Sequence, residues 1–180
     1  DLIVNGLNPP GYHNWAQLIP EITTSVLAAG RASGATLLVP GNVYPYGMEP
    51  APWGPDTPHR PVSRKGRIRA EMEAQYREAA GHGQRTILLR GGDFLLPGAP
   101  QMLMNRVILS KVAKGRITAL GDPDALHAYA YLPDMARAAV AAGIGILGTL
   151  GWRDVVGYWL VQLVAGAFAG HLFRYLHPRE

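Results

Sequence analysis

Short apolar runs alternate with longer stretches of helical spacing over roughly the first 140 residues. Leu2-Ile3-Val4 predicts a buried strand that ends at the turn pair Asn5-Gly6, ahead of a Pro9-Pro10-Gly11 loop. From Trp15 to Ser33 apolar residues recur three and four apart, which predicts a helix with Pro20 as a local irregularity and Gly34 as its cap. Thr36 to Val39 predicts a second strand, stopped by Pro40-Gly41, and Pro50 to Pro61 reads as an extended loop. A charged helix is predicted from about Ser63 to Ala80, ending at Gly81, and Arg85 to Leu89 predicts a third strand. Met102 to Ala113 predicts a helix, Arg116 to Leu120 a short strand, and Leu132 to Ala142 another helix. Short apolar strands separated by helices imply an α/β fold, a partial parallel sheet with crossover connections.

Composition changes this picture at one place. The chain has 180 residues, 48% hydrophobic and 17% charged, which excludes wholesale disorder. Residues 1–137 hold 14 of the 17 basic and 11 of the 13 acidic residues, whereas Ala138 to Phe173 carries only Arg153 and Asp154. The shift divides the chain into 1–140, the α/β part, and 141–180, an apolar helical tail. Residues 155–173 form a run of 19 without Lys, Arg, Asp or Glu, close to the length that crosses a hydrocarbon core, so they allow membrane association. The opening at Asp1, inside an apolar run, reads as a segment entered midway through a fold. The absence of cysteine excludes disulfides, a cysteine nucleophile and thiolate metal sites, and the six histidines lack ligand spacing, so no metal is expected. A net charge of +4 suits anionic small ligands. No nucleic-acid module is recognisable, so none is expected as partner.

Five segments, in order, resemble the latter part of an NAD(P)-dependent epimerase/dehydratase of the extended short-chain dehydrogenase/reductase family. Leu2-Ile3-Val4-Asn5-Gly6 resembles its fourth Rossmann strand, and Leu37 to Gly47 its fifth strand with the Ser-Ser-x-x-Val-Tyr-Gly turn. Ser63 to Glu71 falls where the Tyr-x-x-x-Lys helix begins. Ile87 to Phe94, followed by Pro97-Gly98, resembles the sixth strand and its nicotinamide-side loop, and His127 to Ala138 resembles the family's terminal Asp-x-Ala-x-Ala segment. The resemblance implies a Rossmann-like domain that binds NAD or NADP and a hydroxylated, nucleotide-linked small molecule in the cytoplasm.

It also implies site residues. Asn42 stands at the Ser/Thr position, Tyr46 in the turn, and Ser63, Lys65 and Arg67 on the catalytic helix. Asn5, Gly6, Arg90, Gly91, Gly92, Asp93 and Phe94 border the cofactor, and His127 and Tyr129 the substrate. Aligning the helix on Glu71 puts Ser63 at the tyrosine and Arg67 at the lysine, whereas making Lys65 the lysine puts Pro61 at the tyrosine. Neither register restores Tyr-x-x-x-Lys, so the chain reads as atypical in catalysis, and an arginine serves poorly in proton relay. The family's Gly-rich pyrophosphate turn would precede Asp1, and the literal Gly143-x-Gly145-x-x-Gly148 follows a helix rather than a strand, the context of a packing motif.

Arg60, Arg64, Lys65, Arg67 and Arg69 could meet a phosphate, but with Glu71, Glu73 and Glu78 they also suit a solvated helix face, the reading favoured here. Gly151 to Gly170 resembles a membrane helix of the aquaporin family. Two rival readings therefore stand beside the enzyme: a non-catalytic dinucleotide-binding or interaction protein, and a membrane-associated fragment.

Overall fold

Three parallel strands carry the fold: β1 (Leu2–Val4), β2 (Thr36–Asn42) and β3 (Thr86–Gly91), in the order β1-β2-β3. The computed structural model describes residues 1–100, 102–119, 122, 124 and 127–146, and the chain divides into two units, Asp1–Ala130 and a second that begins at Tyr131. Leu2, Ile3 and Val4 register with Thr36, Leu37 and Leu38, while Leu37 to Asn42 register with Thr86 to Gly91. Helices α1 (Trp15–Ser33) and α2 (Arg64–Gly81) make the two crossovers and pack against each other.

β2 runs three residues further than its apolar pattern predicts, straight through Pro40 and Gly41. Leu37 N–H donates to Arg85 on the β3 side, whereas the Leu38 carbonyl accepts from Asn5 on the β1 side. Pro40, two residues beyond Leu38, therefore turns its missing N–H toward the flank where β1 has already ended, and no ladder bond is lost. The extension carries Gly41 and Asn42 to the sheet's carboxyl edge.

The core lies between sheet and helices. Trp15, Ile19, Val26 and Leu27 of α1 meet Leu37 and Val39 of β2 and Met72 and Tyr76 of α2. Burying each large apolar side chain of this set contributes roughly 1.5–3 kcal/mol. Pro20 sits inside α1 at an exposed position, where water can serve the Ala16 carbonyl it leaves unpaired. Gly34 closes α1 at φ 67°, left-handed backbone that a residue with a Cβ adopts at a cost. Ser63 caps α2 with extended backbone, its hydroxyl accepting from Gly66 N–H at 3.0 Å.

Beyond β3 the chain forms β4 (Asp93–Leu95), which pairs with the segment entering β5 (Tyr129–Tyr131): Asp93 N–H donates to the Ala128 carbonyl at 3.1 Å. Two predicted elements here are corrected. The helix over Met102–Ala113 is instead a wide turn at Met104–Ile108 and a tight one at Val112–Lys114. Asn105 ties this stretch to the preceding loop through the Leu96 and Ala99 carbonyls, and the Leu109 amide reaches back five residues to Met104. No strand forms over Arg116 to Ala119, because Arg116 and Thr118 donate to the carbonyls of Lys111 and Ile108 in those turns rather than to a neighbouring strand.

In the second unit α3 spans Leu132–Ile146, four residues longer than predicted, with Asp134 in its first turn paired to Arg137 at 2.7 Å. Gly143 and Gly145 are interior to this helix, which removes the glycine motif from any phosphate-binding turn. Among the described residues no helix is long and apolar enough to cross a membrane. Residues 155–173 and the aquaporin-like stretch lie outside them.

Candidate functional site

The carboxyl ends of parallel strands all face the same way, so the loops that leave them surround one crevice. Here the ends of β1, β2 and β3 open onto a cavity of about 990 Å³, within the first unit. Asn5, Gly6, Asn42, Tyr46, Arg90, Gly91, Gly92, Asp93, Phe94 and His127, ten of the residues singled out in the sequence, line it. Tyr129 stands beside them, its ring 4.5 Å from that of His127. Ser63 and Arg67 do not line it: Ser63 is occupied as the cap of α2, and Arg67 is exposed on the outer face of that helix. Lys65 reaches the rim, its Nζ 3.7 Å from the ring centre of Tyr12 and 5.9 Å from that of Tyr44, both cavity residues.

Sequence reasoning passed over Asn8, Tyr12, Trp15, Trp53 and the buried face of α2, all of which help to build this site. Arg69 and Glu73, read with the solvated charges, face inward with Gly66, Met72 and Tyr76. The signal was present: Ile68, Met72 and Tyr76 mark an apolar stripe at helical spacing, and residues 69 and 73 sit one step along from it. The positions four apart that address the cavity side of α2 are Lys65 and Arg69, not Ser63 and Arg67.

Glu73 has no solvent exposure and anchors a cluster of charge. Arg90 Nη1 donates to its Oε1, and His59 Nε2 lies 3.2 Å from Oε2. Arg90 also donates to the Asn42 carbonyl at 3.4 Å and lies 5.0 Å over the Tyr46 ring, so the cluster joins β3, the end of β2 and the loop that carries His59. Burial holds His59 below its ordinary pKa, against the upward pull of Glu73. Tyr46 is itself buried, stacked on Trp53 at 5.3 Å with its hydroxyl donating to the Gly54 carbonyl. It serves as a wall rather than as a free phenol.

Tyr44 is pushed up to about 12, first by burial and then by Tyr12. At neutral pH it is a neutral phenol, able to donate a proton in a hydrogen bond but not to act as a resting phenolate. Because the folded value lies above the ordinary 10.0, Tyr44 stabilises the fold fully below pH 10 and that contribution is lost as pH rises through about 12. Tyr44→Phe should accordingly flatten the alkaline limb of a stability profile measured by urea unfolding; an unchanged limb would contradict the shift. Also in the cavity lining, His127 Nε2 and Asp93 Oδ2 are 2.8 Å apart, a partly exposed pair at the start of β4.

The fold with these properties has known counterparts. A Bacillus cereus UDP-glucuronic acid 4-epimerase solved with NAD superposes at TM-score 0.67 and 19% identity, over 79% of this chain and 49% of the epimerase. MoeE5 with UDP-glucose and NAD matches at TM-score 0.64 and 22% identity, over 79% of this chain and 52% of that one. A Bacillus anthracis dTDP-glucose 4,6-dehydratase with NAD matches at TM-score 0.64 and 14% identity, over 81% and 47%. The chain has their Rossmann-like fold. It spans about half the length of the solved structures it matches. No protein-family model matches the sequence, and no curated protein matches it.

The described residues fit one part of a dinucleotide and not another. Gly6 offers open space at the cavity wall, since a Cβ there would meet nothing within 4 Å, and Tyr44, Trp53 and Phe94 give apolar surface for a flat ring. No described strand end leads into a glycine-rich helix start that would hold a pyrophosphate.

Proposed function

We propose that this chain forms the nicotinamide and substrate side of an NAD(P)-dependent site for a hydroxylated, nucleotide-linked small molecule, of the epimerase/dehydratase kind. The observation that carries the reading is the convergence of the three strand ends, with ten residues predicted from the resemblance, on one cavity. When bound, the nicotinamide supplies hydride acceptance and donation. The chain's own residues hold the substrate and wall the ring. Asn42, fixed at the end of β2, presents a side chain that already accepts from Tyr44 N–H at 3.1 Å. Arg90 to Phe94 border the cofactor side, and His127, oriented by Asp93, with Tyr129 borders the substrate side. Tyr44 and Tyr12 are the phenols nearest the Lys65 ammonium.

Titration of the chain with NADH or NADPH, followed by nicotinamide fluorescence with and without a UDP-sugar, tests the reading. Gly6→Leu should weaken that binding about tenfold or more by filling the cavity, while its melting temperature stays within the small range of surface substitutions. Binding that is absent, or indifferent to Gly6→Leu, would overturn the assignment.

A second reading, dinucleotide binding without turnover, is favoured by one observation. The helix positions that address the cavity hold Lys65 and Arg69, and the neighbouring phenol Tyr44 is pushed up to about 12, so no lysine-activated phenolate is assembled. Nicotinamide reduction on a panel of UDP-sugars separates the two readings.

A further inference from the structure

Arg69 is only 9% exposed, yet among the described residues it makes no ion pair. Its contacts are neutral: Nη2 donates to Asn8 Oδ1 at 2.8 Å, Nη1 lies 3.5 Å from Met72 sulfur, and the guanidinium rests 4.5 Å over the Trp15 ring. Its Nε has no hydrogen-bond partner, and neither has the indole Nε1 of Trp15, a residue 3% exposed. Both residues line the cavity. Glu73, one turn further along α2, is the acid that acts on Arg69, but it makes no ion pair with it: its Oε1 accepts from Arg90, and its Oε2, 3.2 Å from His59 Nε2, makes no hydrogen bond. Asp93, the acid that lines the cavity, is taken by His127. One turn before Arg69, Lys65 likewise lies on aromatic faces and pairs with no carboxylate among the described residues.

Burying a guanidinium without a counter-charge is expensive, and so is leaving two buried donors unmade in one wall. A fold that carries both at a cavity is arranged for a ligand that supplies what is missing. We infer that Arg69, Lys65 and the Trp15 indole form an anion subsite, which takes a carboxylate or phosphate group of the small molecule bound in this cavity. A planar guanidinium with free N–H groups suits the paired oxygens of such a group, the indole N–H adds a neutral donor, and the ammonium adds charge at the rim. This deepens the proposed function and rests on the cavity being its ligand site; it assigns to these residues recognition of the ligand's charge rather than proton transfer.

The indole N–H resonance of Trp15, assigned with Trp15→Phe, is a direct reporter. In ¹H–¹⁵N spectra of the full chain we expect it to shift with galacturonate, with glucose 6-phosphate or with both, and not with glucose. A response to the first alone identifies a carboxylate ligand, and to the second alone a phosphate. Arg69→Met should weaken the response about tenfold or more, the scale of one charge-assisted contact. Lys65→Met, at a half-exposed position that leaves the core intact, should weaken it several-fold, which keeps the test valid if Arg69→Met unfolds. An equal shift with glucose, silence with both anions, or full response in Lys65→Met would overturn the subsite. NADH binding with silent anions would sink the subsite alone, and anion binding without NADH would sink the dinucleotide reading alone.

Discussion

Replacing Glu73 by alanine should destabilise the protein by about 3–5 kcal/mol, a fall in melting temperature on the order of 10 °C for a domain of this size. The reason lies less in what Glu73 contributes than in what its loss leaves behind. Among the described residues Arg90 would stay largely buried with no carboxylate, and His59 would lose the one carboxylate it meets. Removing both charges should therefore hurt less than removing one. The double variant Glu73→Leu with Arg90→Leu is expected to be more stable than Glu73→Leu alone, because an ion pair replaced by apolar side chains sheds its desolvation cost as well as its attraction. Urea unfolding of the two single variants and the double checks this. Additive losses would show that the pair is not coupled, and a loss under about 0.5 kcal/mol for Glu73→Ala would show that water reaches the cluster. The site would register the change too, since Arg90 holds the Asn42 carbonyl and covers Tyr46.

That cluster also shows where reading the sequence stopped. The three strands of the parallel sheet and both crossover helices were legible because each is dictated locally, whereas β4 and β5 were not read from the sequence. Three apolar residues before Asn5-Gly6, a 3.6-residue rhythm ending at Gly34, and a charged helical run ending at Gly81 need no knowledge of the rest of the chain. The crevice was legible too, because strand ends in a parallel sheet converge whatever their sequence. The burial of Arg69 and Glu73 was not. In sequence they belong to a run of alternating charge that suits water; Glu73 is taken inside by partners from β3 and the loop through His59, and Arg69 lies inside against Asn8, Met72 and Trp15. Anchoring the helix on Glu71 directed attention to Ser63 and Arg67, whereas the residues that α2 places at the cavity wall and rim are Arg69 and Lys65. Met102 to Ala119 misled for a different reason: its apolar content suits helix or strand, but the Asn105 side chain and the Thr118 amide spend their hydrogen bonds on local turns.

Gly47→Ala should cost at least about 3 kcal/mol, through backbone conformation and crowding together. Gly47 follows Tyr46 with φ 63° and ψ −115°, a combination open to glycine and strained for any L side chain. A Cβ there would also stand 1.9 Å from the Arg60 carbonyl oxygen and 2.9 Å from its carbon, and backbone cannot yield as a side-chain end can. Relief requires the segment around Arg60 to move. That segment begins one residue after His59, which packs on Tyr46 and meets Glu73, so the strain reaches both the wall of the cavity and its buried charge. Gly54 lies in the same loop and its Cβ would meet nothing within 4 Å, so Gly54→Ala should change stability by less than about 0.5 kcal/mol. Paired unfolding curves decide the matter, with proteolysis of residues 48–62 as a second readout. If the two alanines behave alike, Gly47 is not the point at which this loop is folded back onto Tyr46, and the crevice owes its wall to some other contact.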